Sequence, residues 1–303
     1  MGLLFPKKVP VSFEIFITSP DYCAIEGLYE YWRAESEGIP EDTKELILDG
    51  SLGTGKTLFS NLYMAYRIYC FFLNGDPRPR FQLMVDSPIY VLYFSVSLQQ
   101  AQRSGFKQLY NIIKNAGWFQ KNMPLDESIT SSIRFPNSFS IEFASAEGHQ
   151  IGLNVWGFIL DEANFREGLG VGTRAEFEEV TRLYTQLLDR QISRFSDKGR
   201  TFSLAILISS ASYQSAFVER RKLEVEGREG VKVITSVAYK VKPWAYSKEK
   251  FVVFKGTANL EPCIVRSKQH RDFILKQLKL PMELAVRYFD FPPVSLKDAY
   301  KVS

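Results

Sequence analysis

Apolar residues lie along the chain in short continuous runs, and most runs are followed by a longer segment with apolar positions at helical spacing. Continuous runs of β-branched, aromatic and aliphatic residues predict strands that are buried on both faces. Such strands are predicted at residues 46–49, 89–95, 155–160 and 202–208. Helices are predicted at residues 56–73, after Ser97 and from about Thr173, the last two with capping-box patterns.

The alternation of strands and helices favours a parallel sheet with right-handed crossovers. Residues 133–143 alternate between apolar and polar around a Pro-Asn-Ser turn and predict a β-hairpin. Residues 1–45 are predicted to be an irregular lead-in with a helix at 23–35. The alternation of strands and helices ends at about residue 240, so we predict a core at residues 1–240 and a small appended subdomain at 241–303.

Composition restricts the class of protein only weakly. The chain has 303 residues, of which 45% are hydrophobic, and a formal charge of +4, which permits DNA binding without arguing for it. Three separated cysteines and two histidines disfavour a disulfide framework or a zinc site and favour a reducing compartment. The apolar stretch at 58–73 is too short to span a bilayer, so a soluble, intracellular protein is expected.

The first predicted strand leads into a glycine-rich turn that a helix follows. Residues 50–57, GSLGTGKT, match the Walker A pattern at every position, which makes a chance turn an improbable alternative. The glycines let backbone N–H groups surround a phosphate, and the dipole of the following helix adds to the attraction. We predict that Lys56 reaches the β- and γ-phosphates of ATP and that Thr57 binds Mg²⁺. The predicted phosphate-binding residues are Gly50, Ser51, Leu52, Gly53, Thr54, Gly55, Lys56 and Thr57.

The strand at 155–160 ends in two acids, Asp161 and Glu162, in the arrangement of a Walker B motif. In P-loop enzymes such a strand places the aspartate beside Mg²⁺, and a following glutamate can polarise the attacking water as a general base. We therefore predict that Asp161 is a metal ligand and that Glu162 and Lys56 are catalytic residues. Two solvated acids at a strand end are the simpler alternative.

The strand at 202–208 ends in Ser209, Ser210, Ala211 and Ser212. Serine hydroxyls at this position can bond the γ-phosphate or the catalytic glutamate, and they would then report the nucleotide state to the next segment. The alternative is a strand end whose serine caps a helix. These motifs together predict an α/β fold of the P-loop NTPase class (RecA/ASCE-like), with a parallel β-sheet flanked by helices and a small C-terminal subdomain.

The order of the three blocks, GSLGTGKT, VWGFILDEANF and LAILISSAS, resembles the large terminase subunit of tailed bacteriophages. The third block is similar to that family's coupling motif, and residues 241–256 are similar to its lid. The resemblance implies an Mg²⁺-dependent ATPase motor that moves double-stranded DNA into a procapsid. It also implies a portal protein and a small terminase subunit as partners, and assembly into a homo-oligomeric ring. The protein would act in the host cytoplasm and would not be part of the mature virion.

Three departures from this family pattern affect the interpretation. Leu52 occupies a stretch of the phosphate loop where many terminases have an arginine, so a finger from a neighbouring subunit is the alternative, with Arg103, Arg134 and Arg166 as candidates. Residues 1–49 contain no glutamine that could read adenine. The residues near Phe291 offer no cluster of acids, so the family's nuclease domain is expected to be absent from this chain.

Two local basic clusters are candidates for contact with DNA phosphates. The first comprises Arg190, Arg194, Lys198 and Arg200, and the second comprises Arg220, Arg221 and Lys222. Phosphate contacts need only such charges and no base reading. Both clusters are also compatible with ordinary solvated surfaces.

Three other functions compete with the packaging motor. A helicase-like ATPase needs a second RecA-like domain, which residues 241–303 are too few to supply. A P-loop nucleotide kinase would leave Glu162 without a hydrolytic role. A non-catalytic nucleotide-binding scaffold would not need the intact pair of motifs.

Overall fold

The computed structural model describes residues 8–94, 105–127, 132–144, 152–163, 174–210, 217–257, 259–290 and 293–295. The chain forms two compact units, Met1–Ser236 and Val237–Ser303. In the first unit the helices are α1 (Phe13–Thr18), α2 (Glu30–Glu37), α3 (Lys56–Phe72), α4 (Gly105–Asn115), α5 (Gly117–Asn122), α6 (Arg174–Arg194) and α7 (Phe217–Glu224). The strands are β1 (Glu45–Gly50), β2 (Ile89–Phe94), β3 (Ser132–Phe135), β4 (Phe139–Phe143), β5 (Val155–Leu160), β6 (Ser196–Asp197), β7 (Arg200–Thr201), β8 (Leu204–Ile208) and β9 (Val231–Ser236).

The first unit is built on a seven-stranded sheet in the order β3-β4-β2-β5-β8-β1-β9. All neighbours pair in parallel except β3, which pairs with β4 as an antiparallel hairpin at the edge. The strand β8 lies between β1 and β5, so the carboxyl ends of these three strands meet at one edge of the sheet. Ligands of open α/β sheets bind at that edge.

Helices cover both faces of the sheet. Leu46 and Leu48 of β1 pack on one side in a cluster with α1, α3 and α4, whereas Ile47 packs on the other side with α6 and α7. Because successive strand residues point to opposite faces, a strand buried on both sides must be apolar at every position. The predicted α/β fold, a mainly parallel sheet flanked by helices, is therefore confirmed.

The lead-in differs from the predicted helix at residues 23–35. The helix α2 begins only at Glu30, and Ala24 has a φ of 50°. The N–H groups of Cys23 and Ile25 donate to the carbonyls of Phe16 and Ile17, so this stretch is held against α1 by its backbone. Its apolar side chains are buried by that packing without forming a helix. The sequence pattern also predicts neither the helix α1 nor the strand β9.

The second unit contains short helices and strands. They are α8 (Ala238–Val241), α9 (Lys268–Leu278), α10 (Met282–Ala285), β10 (Tyr246–Lys250), β11 (Val253–Phe254), β12 (Cys263–Ile264), β13 (Phe289–Asp290) and β14 (Pro293–Ser295). The strands β10 and β14 form one antiparallel pair, and β12-β11-β13 form a three-stranded antiparallel sheet. Phe254 is buried at the centre of that sheet against Phe289. No helix in the described parts of either unit combines the length and apolarity of a membrane span.

Candidate active site

The predicted phosphate loop connects the carboxyl end of β1 to the amino end of α3. Gly50, Gly53 and Gly55 all have positive φ values, of 128°, 68° and 83°. Gly55 is the N-cap residue of α3 in the left-handed conformation, which glycine adopts without a steric penalty. The loop therefore curls ahead of a helix whose first N–H groups have no intrahelical partner, as anion binding requires.

The loop is held in place from two sides by residues outside the motif. The indole Nε1 of Trp32 donates to the Thr54 carbonyl at 2.7 Å, and its ring stacks on Phe59 of α3. From the other side, the Ser51 N–H donates to the Ser236 carbonyl at 2.8 Å, and the Ser236 hydroxyl lies 2.9 Å from the Thr54 hydroxyl. Because Trp32 and Ser236 are fully buried, these bonds are shielded from water and fix the loop before any ligand binds.

Lys56 is the first residue of α3, and its side chain folds back over the loop. The ammonium donates to the Ser51 carbonyl at 2.7 Å and to the Gly50 carbonyl at 3.1 Å. Burial lowers the pKa of Lys56, and the carboxylates of Glu162, Asp49 and Asp161 act in the opposite direction. The phosphate-loop lysine and the two acids that follow β5 therefore share one electrostatic site.

The two acids follow β5 directly. The N–H of Asp161 donates to the Phe94 carbonyl at 2.9 Å, and the Tyr93 hydroxyl donates to Asp161 Oδ2 at 2.9 Å. Burial raises the pKa of Asp161 to about 6, although the Tyr93 bond opposes the increase. Glu162 has a φ of 55°, which is unusual for a residue with a side chain and is found at functional sites. Burial also raises the pKa of Glu162, and Lys56 opposes that rise.

The predicted magnesium ligands suit a divalent cation. Thr57 lies half-buried in the first turn of α3 and offers a hydroxyl, and Asp161 offers a carboxylate. Both are hard oxygen donors, which Mg²⁺ prefers. Two neighbouring acids whose pKa values are raised by burial favour a cation that would compensate for their lost hydration.

The third predicted motif lies between the other two. The N–H of Ser209 donates to the Leu48 carbonyl of β1 at 3.0 Å, and the Ile208 carbonyl accepts the N–H of Ala163 at 2.9 Å. Ser209 and Ser210 are buried. The end of β8 thus touches the segments that carry the phosphate loop and the acids, while Ala211 and Ser212 lie outside the described residues.

Of the three arginine-finger candidates, the structure describes only Arg134, and it does not bring this residue to the site. Arg134 is exposed on the edge strand β3, where its Nε donates to the Ser132 hydroxyl at 3.0 Å. The strands β4 and β2 separate β3 from β5, so Arg134 cannot act on a phosphate within its own chain. Arg103 and Arg166 lie outside the described residues. Leu52 is 77% exposed at the tip of the phosphate loop.

The first basic cluster lies away from the phosphate loop. Lys198 and Arg200, on the β6–β7 hairpin, line a cleft of about 850 Å³ together with Arg67, Arg80 and Trp156. Trp156 lies at the amino end of β5, so the cleft is opposite the edge that carries the motifs. Arg194 is exposed on the last turn of α6, and Arg190 is half-buried on the same helix.

The second basic cluster is mostly used inside the fold. Arg221 of α7 forms a bidentate ion pair with Glu45 at 2.9 and 2.8 Å. Lys222 pairs with Asp49, the residue before the phosphate loop, at 2.7 Å. Because the side chains of both acids are almost fully buried, these two cations are engaged in ion pairs within the fold.

Three residues that position the site are not found by the sequence motifs. Trp32, Tyr93 and Ser236 come from three different segments, and each makes its hydrogen bond to a motif residue that is far away in the chain. For two of these residues the sequence offers a signal, because each is a polar residue near the end of an apolar stretch. Tyr93 and Ser236 both lie at the carboxyl end of a strand, as the motif residues do.

The fold and the site define a P-loop NTPase domain. More narrowly, the chain belongs to the family described as "Uncharacterized protein MJ0330, N-terminal P-loop domain", whose profile matches residues 23–256.

Comparisons with individual proteins give only distant likenesses. No curated protein matches the chain. Among solved structures, the HK97 bacteriophage large terminase is 13% identical with a TM-score of 0.49, over 91% of this chain and 53% of the terminase. The large terminase of a thermophilic bacteriophage, in complex with ATP-gamma-S, is 13% identical with a TM-score of 0.43, over 72% and 45%. The chain thus spans about half the length of these terminases.

Proposed function

We propose that this domain hydrolyses ATP in an Mg²⁺-dependent reaction and that it is the motor of a viral DNA-packaging complex, similar to a large terminase. The proposal is supported above all by the electrostatic site that Lys56 of the phosphate loop shares with Asp161 and Glu162. Two acids that were merely solvated at a strand end would not influence the pKa of a buried lysine.

The residues of the site have distinct roles in the proposed reaction. The loop N–H groups and Lys56 bind the β- and γ-phosphates and stabilise the charge that develops during transfer. Thr57 and Asp161 would hold Mg²⁺, which supplies further positive charge at the phosphates. Glu162, with its pKa raised by burial, accepts a proton from the attacking water. Ser209 and Ser210, between the two motifs, would sense the loss of the γ-phosphate.

The packaging role is supported by the motif order and by the position of the cationic groups. Lys198 and Arg200 are exposed on a hairpin, where a duplex backbone could be contacted without base reading. Arg103 and Arg166 stay candidates for the arginine finger, which a neighbouring subunit in a ring could supply. Double-stranded DNA, a portal-bearing procapsid and a small terminase subunit are the proposed partners, in the host cytoplasm.

Two assays with the purified protein test the proposal. Phosphate release from ATP is measured with and without linear duplex DNA, and displacement of a third strand from a DNA triplex reports translocation. A motor is expected to release phosphate faster with duplex DNA and to displace the third strand only with ATP. Transfer of phosphate to a nucleoside monophosphate, without phosphate release, would instead indicate a nucleotide kinase and would contradict the proposal.

A further inference from the structure

Tyr93 is a fully buried tyrosine near the carboxyl end of β2, and its hydroxyl reaches the acid that the proposed function assigns to Mg²⁺. The hydroxyl donates to Asp161 Oδ2 at 2.9 Å. The ring packs edge-on against Phe106 of α4, a contact that phenylalanine would make equally well. The hydroxyl therefore adds little to the packing and has one described partner, the carboxylate.

Asp161 is held by β2 at two points. Besides the bond from Tyr93 to its side chain, its backbone N–H donates to the Phe94 carbonyl at 2.9 Å. The main chain and the carboxylate of Asp161 are therefore both fixed by consecutive residues of one rigid strand. A carboxylate held in this way keeps its plane whether or not a cation is bound, which is how outer partners orient metal ligands.

The backbone of α4 leaves a space that fits this hydroxyl closely. A Cβ added at Gly105 would lie 2.1 Å from the Tyr93 hydroxyl oxygen and 3.2 Å from Asp161 Oδ2. Any side chain at this position would displace the hydroxyl or the carboxylate. The glycine is thus required by the tyrosine–aspartate pair, since its own φ is not in the left-handed region.

The same backbone is tied to the phosphate-loop helix. Asn61, one helical turn after Thr57 on α3, donates to the Gly105 carbonyl at 2.9 Å and is fully buried. A chain of contacts therefore runs from α3 through Asn61 and Gly105 to Tyr93 and Asp161. The two proposed magnesium ligands, Thr57 and Asp161, are connected through it.

We infer that Tyr93 is a positioning residue for the magnesium site, which holds the Asp161 carboxylate in the orientation that binds the metal of a metal–nucleotide complex. The inference rests on the proposed function. Asn61 and Gly105 would then keep Tyr93 at a fixed position relative to the phosphate-loop helix.

The test separates metal binding from nucleotide binding. ADP affinity is measured by calorimetry in EDTA and again with Mg²⁺. The affinity for Mn²⁺ in the presence of ADP is measured by electron paramagnetic resonance of the free ion. The wild type is compared with Tyr93→Phe, which removes only the hydroxyl, and with Tyr90→Phe as the matched control on the same strand. Gly105→Ala tests the same pair in a second way, because it retains the Tyr93 hydroxyl but displaces it from Asp161.

We expect Tyr93→Phe and Gly105→Ala to weaken Mn²⁺ binding roughly tenfold, the usual effect of losing an outer partner of a metal ligand. ADP affinity in EDTA should stay within about twofold of the wild type, since the metal ligands act little on ADP without metal. A folded Tyr93→Phe protein with wild-type Mn²⁺ affinity would overturn the inference and leave the proposed function intact. A wild-type protein that binds neither ADP nor Mn²⁺–ADP would overturn both.

Discussion

The Cα of Gly50 lies against the backbone of Ser236, so that a Cβ on Gly50 would be 2.0 Å from the Ser236 carbonyl oxygen. Gly50 is the first glycine of the phosphate loop, and Ser236 is the last residue of the neighbouring strand β9. The glycine is therefore required here by the adjacent strand as well as by its φ of 128°. The loop and the end of β9 form one packed unit.

We expect Gly50→Ala to reduce the free energy of unfolding by more than about 4 kcal/mol, in the range of severe overpacking. Gly75→Ala is the matched control, because Gly75 also has a positive φ, of 99°, but no atom within 4 Å of the added Cβ. Backbone strain alone should cost roughly 1–3 kcal/mol there. Urea unfolding of both variants measures the difference, and equal losses would show that the contact with Ser236 is not tight.

The pKa of Asp161 predicts how stability depends on pH in metal-free buffer. Burial raises this pKa from 3.8 to about 6, so the folded protein retains a proton that the unfolded chain releases between these values. Stability should therefore rise as the pH falls through 6, and the gain should be complete below about 4.

The variant Asp161→Asn isolates this contribution, because asparagine has no charge to bury. At pH 8 without metal the variant should be more stable than the wild type, by at most about 3 kcal/mol for a shift of this size. The advantage should disappear near pH 4. Thermal unfolding across this pH range provides the measurement, and a difference that does not vary with pH would show that the carboxylate is not desolvated.

The buried ion pair between Arg221 and Glu45 predicts a structural effect in the second basic cluster. Arg221→Ala leaves Glu45 buried without its partner, which should cost about 3–5 kcal/mol of stability. Arg228→Ala, at an exposed arginine of the following turn, should change stability by no more than about 0.5 kcal/mol. If Arg221→Ala instead weakens DNA binding and leaves stability unchanged, the cluster is a DNA surface.

For the β6–β7 hairpin we expect the opposite, an effect on DNA binding and almost none on stability. Lys198→Ala and Arg200→Ala change exposed side chains, so stability should be almost unaffected. If both residues contact phosphates, each substitution should lower the slope of log affinity against log salt by about 0.9. Fluorescence anisotropy with a duplex at several salt concentrations measures the slope. An unchanged slope in the double variant would remove this hairpin from the DNA contact.

The parts of the fold that can be predicted well from sequence are those with strong local patterns. The strand β5 and the helix α3 are long, uniformly apolar or periodic, and bounded by glycines or acids, and their predicted limits agree closely with the structure. The strand β9 is missed because it lies at the sheet edge and carries lysine, threonine and serine among its apolar residues. Of the helix predicted at residues 23–35 only the part from Glu30 is helical, because Cys23 and Ile25 are held by backbone bonds to α1, which no periodicity reveals.

The site is predictable only where a motif is contiguous. Lys56 and Asp161 belong to contiguous patterns, each with its own physical logic. Trp32, Tyr93 and Ser236 act on those motifs across 22, 68 and 182 residues of chain, so only the fold brings them there. Likewise, the sequence alone does not separate the arginine that pairs with Glu45 inside the domain from those that face solvent.

If Lys56, Asp161 and Glu162 act on one nucleotide, ATP binding and phosphate release must respond differently to Glu162→Gln and Lys56→Ala. Glu162→Gln should bind ATP as tightly as the wild type but lose at least about 100-fold in phosphate release, as expected for the loss of a general base. Lys56→Ala should lose ATP binding. Phosphate release at the wild-type rate in Glu162→Gln would show that Glu162 does not act on the nucleotide.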